Sequence, residues 1–251
     1  MNEQIIEKVM GEVMQKMGSA EPSAAAGPLS AVATGGCGLT EFVGTAIGHT
    51  IGLVIPNVDP LIHEQMKIDK KYRSLGIIGA RTGAGPQIFA ADEAVKATNS
   101  EVISIELPRD TEGGAGHGCL IIFGATDVPD ARRAVEVCLG DLDRTFGDVY
   151  GSPAGHLEFQ YTARAAGALN KAFGAPIGQS FGITVGAPAA IGVVMADVAA
   201  KAATVDAVGY ASPANGTSFS NEVIFTFSGD SGAVRQSVIA ARETGLKLLS
   251  T

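Results

Sequence analysis

Tryptophan is absent from the 251 residues, aromatics make up only 6%, and cysteine occurs three times. Cys37, Cys119 and Cys138 show no C-x-x-C spacing and cannot all pair with one another. That argues against a disulfide framework and against a ribbon-type zinc site, and predicts reduced, mostly buried thiols in a cytosolic chain. Charge is scarce as well, at 18% of residues, with 18 Lys+Arg against 26 Asp+Glu for a net charge of −8. No basic stripe or aromatic–basic interleaving appears, which argues against a nucleic-acid partner. KIDKKYR at 67–73 is the only basic cluster, and reads as a solvated helix end. The N-terminus lacks the continuous apolar region of a secretory leader, and no apolar run is long enough to span a bilayer, so no membrane partner is expected. The most apolar stretch, TVGAPAAIGVVMADVAA at 184–200, is interrupted by Asp197 and turn residues and reads as strand, turn and helix.

Familiar chemistry is missing too. No G-x-S-x-G elbow occurs. His49, His63, His117 and His156 are scattered without H-x-x-x-H spacing, so no metal and no cofactor are expected. GARTGAG at 79–85 lacks the Gly-Lys-Ser/Thr of a phosphate loop and reads as a structural turn.

What is abundant is glycine, with 33 residues beside 11 prolines, in a chain that is 46% hydrophobic. Such a composition suits closely packed strands and helices joined by tight turns, without the period of collagen. Two Gly-rich loops stand out, SIELPRDTEGGAGHG at 104–118 and GYASPANGTSFSN at 209–221. Each opens from an apolar run, closes into another (CLIIFG, EVIFTFSG) and is followed by an amphipathic stretch. Their flanks match as well. Asp92 and Lys96 fall in register with Asp197 and Lys201 at an offset of 105, and Asp127, Arg132 and Val135 with Asp230, Arg235 and Val238 at 103. Each copy reads strand, short Ala-rich helix, strand, Gly-rich loop, strand, helix, with Asp127 and Asp230 as N-caps of the last helix.

Three segments follow: residues 1–36, 37–150 and 151–251. In the first, Ile6, Val9, Met10, Val13 and Met17 recur at helical spacing, and a small-residue linker then runs to residue 36. So short an amphipathic helix cannot bury its stripe alone, and either docks back on the body or binds another protein. In the second, 39–55 fits two strands or a helix and a strand, and Asp59-Pro60 starts a helix expected to continue through LIHEQMKIDKKY. In the third, GHLEFQYTARAAGALNKAFG at 155–174 is aligned with GLTEFVGTAIG at 38–48, and the turn-rich 147–155 is read as the hinge.

The loops supply the candidate site. Glu106, Arg109, Asp110, Glu112, Gly113, Gly114 and His117 come from the first, and Pro213, Asn215, Thr217, Ser218 and Ser220 from the second. The first loop's carboxylates are not repeated in the second, which suits a polar rim better than a catalytic set. Hydroxyls, amides and open backbone can hydrogen-bond small polar solutes. Arg81, Lys96, Arg132, Lys201 and Arg235 are candidates for edge or inter-domain contacts.

From about Cys37 onward, strings such as YRSLGIIGARTGAGPQIFAADEAVKATNSEVISIELPRDTEGGAGHG and ASPANGTSFSNE resemble the bacterial microcompartment shell family, in its tandem-domain form from propanediol-utilisation compartments. The tandem shell protein of ethanol utilisation is a near relative. The resemblance implies an α/β (α+β) chain of two circularly permuted shell domains, each a small antiparallel sheet flanked by helices. It implies a homotrimer that tiles with other shell proteins in the bacterial cytoplasm, around an encapsulated diol or glycerol dehydratase reached through the N-terminal helix. It also implies loops that face the trimer axis, channels for small polyols such as 1,2-propanediol or glycerol, and no catalytic role. No cysteine stands at either loop apex, so no iron–sulfur cluster is expected. Two other readings stay open on the residues alone. One is an enzyme or small-molecule-binding protein using Glu106, Asp110, Glu112 and His117. The other is a scaffold that recruits cargo without transport.

Overall fold

A computed structural model describes residues 41–108, 118–217 and 220–250. The amphipathic stripe Ile6 to Met17, and Arg109, Asp110, Glu112, Gly113, Gly114, His117 and Ser218, lie outside the described residues.

The first half runs β1 (Glu41–Ala46), β2 (Thr50–Ile55), α1 (Pro60–Met66), β3 (Ser74–Ala80), α2 (Gly85–Lys96), β4 (Glu101–Glu106), β5 (Cys119–Ala125) and α3 (Val128–Phe146). The second repeats it as β6 (Val149–Ser152), β7 (Gly155–Thr162), α4 (Gly167–Phe173), β8 (Ser180–Ala187), α5 (Ala189–Ala202), β9 (Asp206–Ala211), β10 (Val223–Gly229) and α6 (Ser231–Leu249). Strand orders correspond one to one, β1-β2-β3-β5-β4 and β6-β7-β8-β10-β9, and all pairs are antiparallel. The duplication legible at β3 and beyond therefore covers the preceding hairpin and short helix too.

Local chemistry sets the boundaries. Asp127 accepts from Asp130 N at 3.0 Å, and Asp230 from Gly232 N at 2.9 Å, so both predicted N-caps are in place. The described part of the 39–55 stretch, 41–55, resolves into two strands, β1 and β2. Asp59 caps α1 through Leu61 N at 2.8 Å, with Pro60 in the first turn. The helix stops at Met66, however, short of the predicted run to Tyr72. Lys67 is left-handed (φ 54°), and Ile68 turns inward to join Val58, Leu75 and Ile122 in a small core. Most of KIDKKYR is therefore turn rather than helix end.

The expected alignment of 155–174 with 38–48 slips by one strand. Gly155–Thr162 is β7, the partner of β2, and the counterpart of β1 is β6, inside the stretch read as a hinge. A division at 150/151 therefore falls within a strand. The slip arose because Val149–Ser152 is four residues long and surrounded by turn-forming Gly and Pro.

One face of each sheet is covered by its long helices. Ala131, Ala134, Val135, Cys138 and Leu142 give α3 a continuous inner stripe. Two glycines permit the close approach. A Cβ on Gly76 would lie 2.8 Å from Ala131 O, and one on Gly192 would lie 2.7 Å from Gly186 O. Cys119 and Cys138 are buried and unpaired, and burial pushes the Cys119 thiol up to about 12.

The halves meet where α2 crosses onto the second sheet. Ile88 and Phe89 share one core with Ala168, Leu169, Phe181 and Ile183, and the rings of Phe89 and Phe181 lie 6.1 Å apart. Asp92, fully buried, anchors the seam. Its carboxylate accepts from Ala166 N (2.9 Å) and Leu169 N (3.1 Å), capping α4, whose N-cap alanine has no side-chain acceptor. Lys96 Nζ sits 3.0 Å from Asp92 Oδ2 and 2.7 Å from Glu93 Oε1, and donates across the seam to Thr162 Oγ1 at 3.3 Å. Asp92→Ala leaves the amides of Ala166 and Leu169 without their acceptor while Lys96 keeps Glu93, and is expected to cost about 1–3 kcal/mol. Equilibrium urea unfolding checks this, and a loss below about 1 kcal/mol would show the anchor to be dispensable.

Candidate functional site at the domain seam

Beside the Asp92 anchor lies a cavity of about 140 Å³, close to the liquid volume of five waters. Ile88, Leu107, Phe173, Ile183, Val185 and Ile224 give it apolar walls. Its polar groups are Glu158, Glu222 and Thr217, all buried, with the β3–α2 turn (Gly83–Gly85) above them.

Strand register brings these groups together. His156 and Glu158 are two apart on β7 and share a face. They stand opposite Ala187 and Val185 of β8, while Val223 of β10 lies across from Gly186, which puts Glu222 beside the same end of the sheet. His156 Nε2 contacts Glu158 Oε1 at 2.7 Å. Glu158 Oε2 lies so near α2 that a Cβ on Gly85 would stand 2.8 Å from it. A carboxylate at the start of α2 meets the positive end of the helix dipole, and the missing side chain at Gly85 lets it lie close. Burial by itself lowers an imidazole's pKa. The hydrogen bond and charge of Glu158, with the charge of Glu222, outweigh that burial, and His156 is held above the ordinary value. A pocket with two carboxylates, a hydroxyl and apolar walls can hydrogen-bond a small polyhydroxyl solute while its walls meet the carbon chain.

The candidate residues divide. Thr217 lines the cavity and is buried, with its hydroxyl donating to Ser220 O at 3.3 Å. Glu106 ends β4, one residue before the cavity wall at Leu107. Pro213 and Asn215 belong to a tight turn in which Ser212 N and Asn215 O pair at 2.7 Å, and Asn215 is exposed. Among the edge candidates, Lys96 spans the seam. Arg132 pairs with Glu41 on β1 of its own domain, Lys201 pairs with Asp197 at 2.7 Å on an exposed helix face, and Arg81 and Arg235 are exposed. His156, Glu158 and Glu222 were missed from sequence. The available signal was a histidine and a carboxylate at i, i+2 in an otherwise apolar strand, GHLEFQY. Among the described residues no cluster of three or more His, Cys, Asp or Glu is placed to hold a metal ion.

The BMC domain family model matches residues 74–152 and 180–251. The chain belongs to the bacterial microcompartment shell proteins. It is 62% identical to the shell protein PduB of Salmonella typhimurium over 253 residues, covering 99% of this chain and 94% of that protein. The crystal structure of a trimeric PduB superposes with a TM-score of 0.80 at 58% identity, over 84% of this chain and 93% of that one. EtuB from Clostridium kluyveri superposes with a TM-score of 0.81 at 59% identity, over 84% and 92%.

Membership makes the chain a structural component of a microcompartment shell in the bacterial cytoplasm rather than a catalyst. Both matches begin at the first residue of a central strand, Ser74 of β3 and Ser180 of β8. The leading hairpin and short helix stand ahead of each, as circular permutation requires.

The raised pKa of His156 has a measurable sign. Its stabilising contribution is complete below the unfolded value of about 6.5 and is lost as pH rises through the folded value. Melting temperature is expected to fall across that rise in the wild type and to stay flatter in His156→Gln. Differential scanning calorimetry at constant ionic strength measures both slopes, and equal slopes would remove His156 as their source.

Proposed function

We propose that three chains close into a ring that tiles the shell, and that the seam cavity of each chain is the narrow part of a passage for small polyols. One observation carries the ring: the side chains buried at the seam have exposed apolar counterparts at the chain's two free ends. At the offset of 105, Ile88 and Phe89, 0% and 2% exposed, correspond to Val193 and Val194 on α5, which are 49% and 44% exposed. On the other side, Ala168 and Leu169 of α4 correspond to Leu61 and Ile62 of α1, both exposed. Each chain thus presents the two unmet halves of a contact it already makes once internally. Such a head-to-tail contact repeats until a ring closes, and three two-domain chains close it in the relative described as trimeric.

The passage is specific to the internal seam. At the junction between chains, the place of Glu158 is taken by Ile51, opposite Gly79 in β3, and that of Glu222 by Gly118. A polar cavity therefore occurs once per chain and three times per ring. It lies at the roots of both Gly-rich stretches, since Leu107 is near the start of the first, Thr217 belongs to the second and Glu222 directly follows it. The loops themselves ring the axis, and edge contacts made with other shell proteins complete the sheet. The amphipathic segment at 2–17 tethers an enzyme cargo of the diol or glycerol dehydratase class, a reading supported by its apolar stripe and small-residue linker.

Val194→Asp places a charge in the contact between chains and is expected to convert trimers to monomers in light scattering after size exclusion. A trimer that survives it, with α5 still folded, counts against the ring. In crystals soaked with glycerol or 1,2-propanediol, ordered solute is expected between Glu158 and Thr217 and absent in Glu158→Leu. A sealed, empty cavity in the soaked wild type would end the passage reading.

A further inference from the structure

We infer that Lys201 of each chain forms an ion pair with Asp59 of the next chain, in a carboxylate–lysine–carboxylate cluster that the single chain leaves incomplete. The inference rests on the ring proposed above and concerns the chemistry of its junctions.

The internal seam shows what this helix position does. Asp92 Oδ2 touches both the Lys96 ammonium, at 3.0 Å, and the amide of Ala166, at 2.9 Å. The ammonium and the first turn of α4 are thus joined through one oxygen. Lys96 has a second carboxylate, Glu93, on its own helix. The cluster holds two carboxylates and one lysine.

On α5 the pair recurs as Asp197 and Lys201, 2.7 Å apart, but half or more of each side chain is exposed. The second carboxylate is gone, because the counterpart of Glu93 is Val198. The loss is made good on the partner helix. α1 and α4 are both seven residues long and both end in a left-handed cap, at Lys67 and Gly174, so the N-cap Ala166 corresponds to Asp59. A neighbour's α1 docked as α4 docks brings the Asp59 carboxylate to the place where only a methyl group stands inside the chain. Two carboxylates and one lysine are restored, with the second supplied by the other chain. Because Asp59 already caps α1 through Leu61 N, the junction does not need Asp197 as a cap. Its need is for a cation between Asp197 and Asp59, and Lys201, 2.7 Å from Asp197, is placed to supply it.

The test measures trimer dissociation by mass photometry over a dilution series, at low and high salt. Lys201→Glu is expected to weaken the trimer roughly tenfold at low salt, and less at high salt, as for a close charge pair at an interface. Asp59→Asn keeps the N-cap and removes the charge, and is expected to weaken the trimer in the same direction. The exchange Asp59→Lys with Lys201→Glu reverses the pair at every junction and is expected to recover most of the loss. Unchanged dissociation in both single variants, or no recovery in the exchange while its monomer melts like Asp59→Lys alone, overturns the pair and leaves the ring standing. A wild type that is monomeric at micromolar concentration fails at the earlier step and removes the ring itself.

Discussion

Helix α2 is apolar on two sides, and a single shell domain has only one core to give it. The inner side, at Ala90, Ala91 and Ala94, packs within its own domain, chiefly toward α3, while Ile88 and Phe89 join the core of the next domain. Leaving both in water would forfeit several kcal/mol of burial for two such side chains. Much of the architecture answers this constraint. The second domain covers the outward side, Asp92 fixes the helix that covers it, and α5 repeats the problem at the far end with Val193 and Val194. Low charge and abundant small residues belong to the same solution, since a helix that must be packed on both sides leaves little room for solvated side chains.

The duplication is nearly complete in backbone and unequal in chemistry. Sheets and long helices correspond throughout, yet the internal seam holds the buried carboxylates of Glu158 and Glu222 where the outer face offers Ile51 and Gly118. At Gly85 a helix start without a side chain lies against the Glu158 carboxylate. These two carboxylates therefore occur only where the two domains of one chain meet.

Much of this was legible in the sequence wherever signals are local or repeated. N-caps at Asp59, Asp127 and Asp230 announce themselves by residue type, and paired offsets of 103 and 105 expose the duplication. Strand β6 was not legible, because four residues among Gly and Pro carry too little periodicity to separate a strand from a turn. The end of α1 was missed because Ile68 turns inward for tertiary reasons that no helical pattern records. The cavity was largely hidden. Glu158 and Glu222 lie 64 residues apart, and only strand register makes them neighbours, whereas Thr217 was singled out because it belongs to a loop conspicuous in composition.

The covalent link between domains changes what the internal seam can tolerate. A tethered contact faces an effective partner concentration on the order of millimolar, however dilute the protein. Buried carboxylates, a protonatable imidazole and an unfilled volume all weaken an interface, and at a junction between separate chains they would be paid for in dissociation. Within one polypeptide they cost folding stability but not stoichiometry. Fusion of the two domains thus gives the shell a place to keep a hollow lined by carboxylates without loosening the assembly.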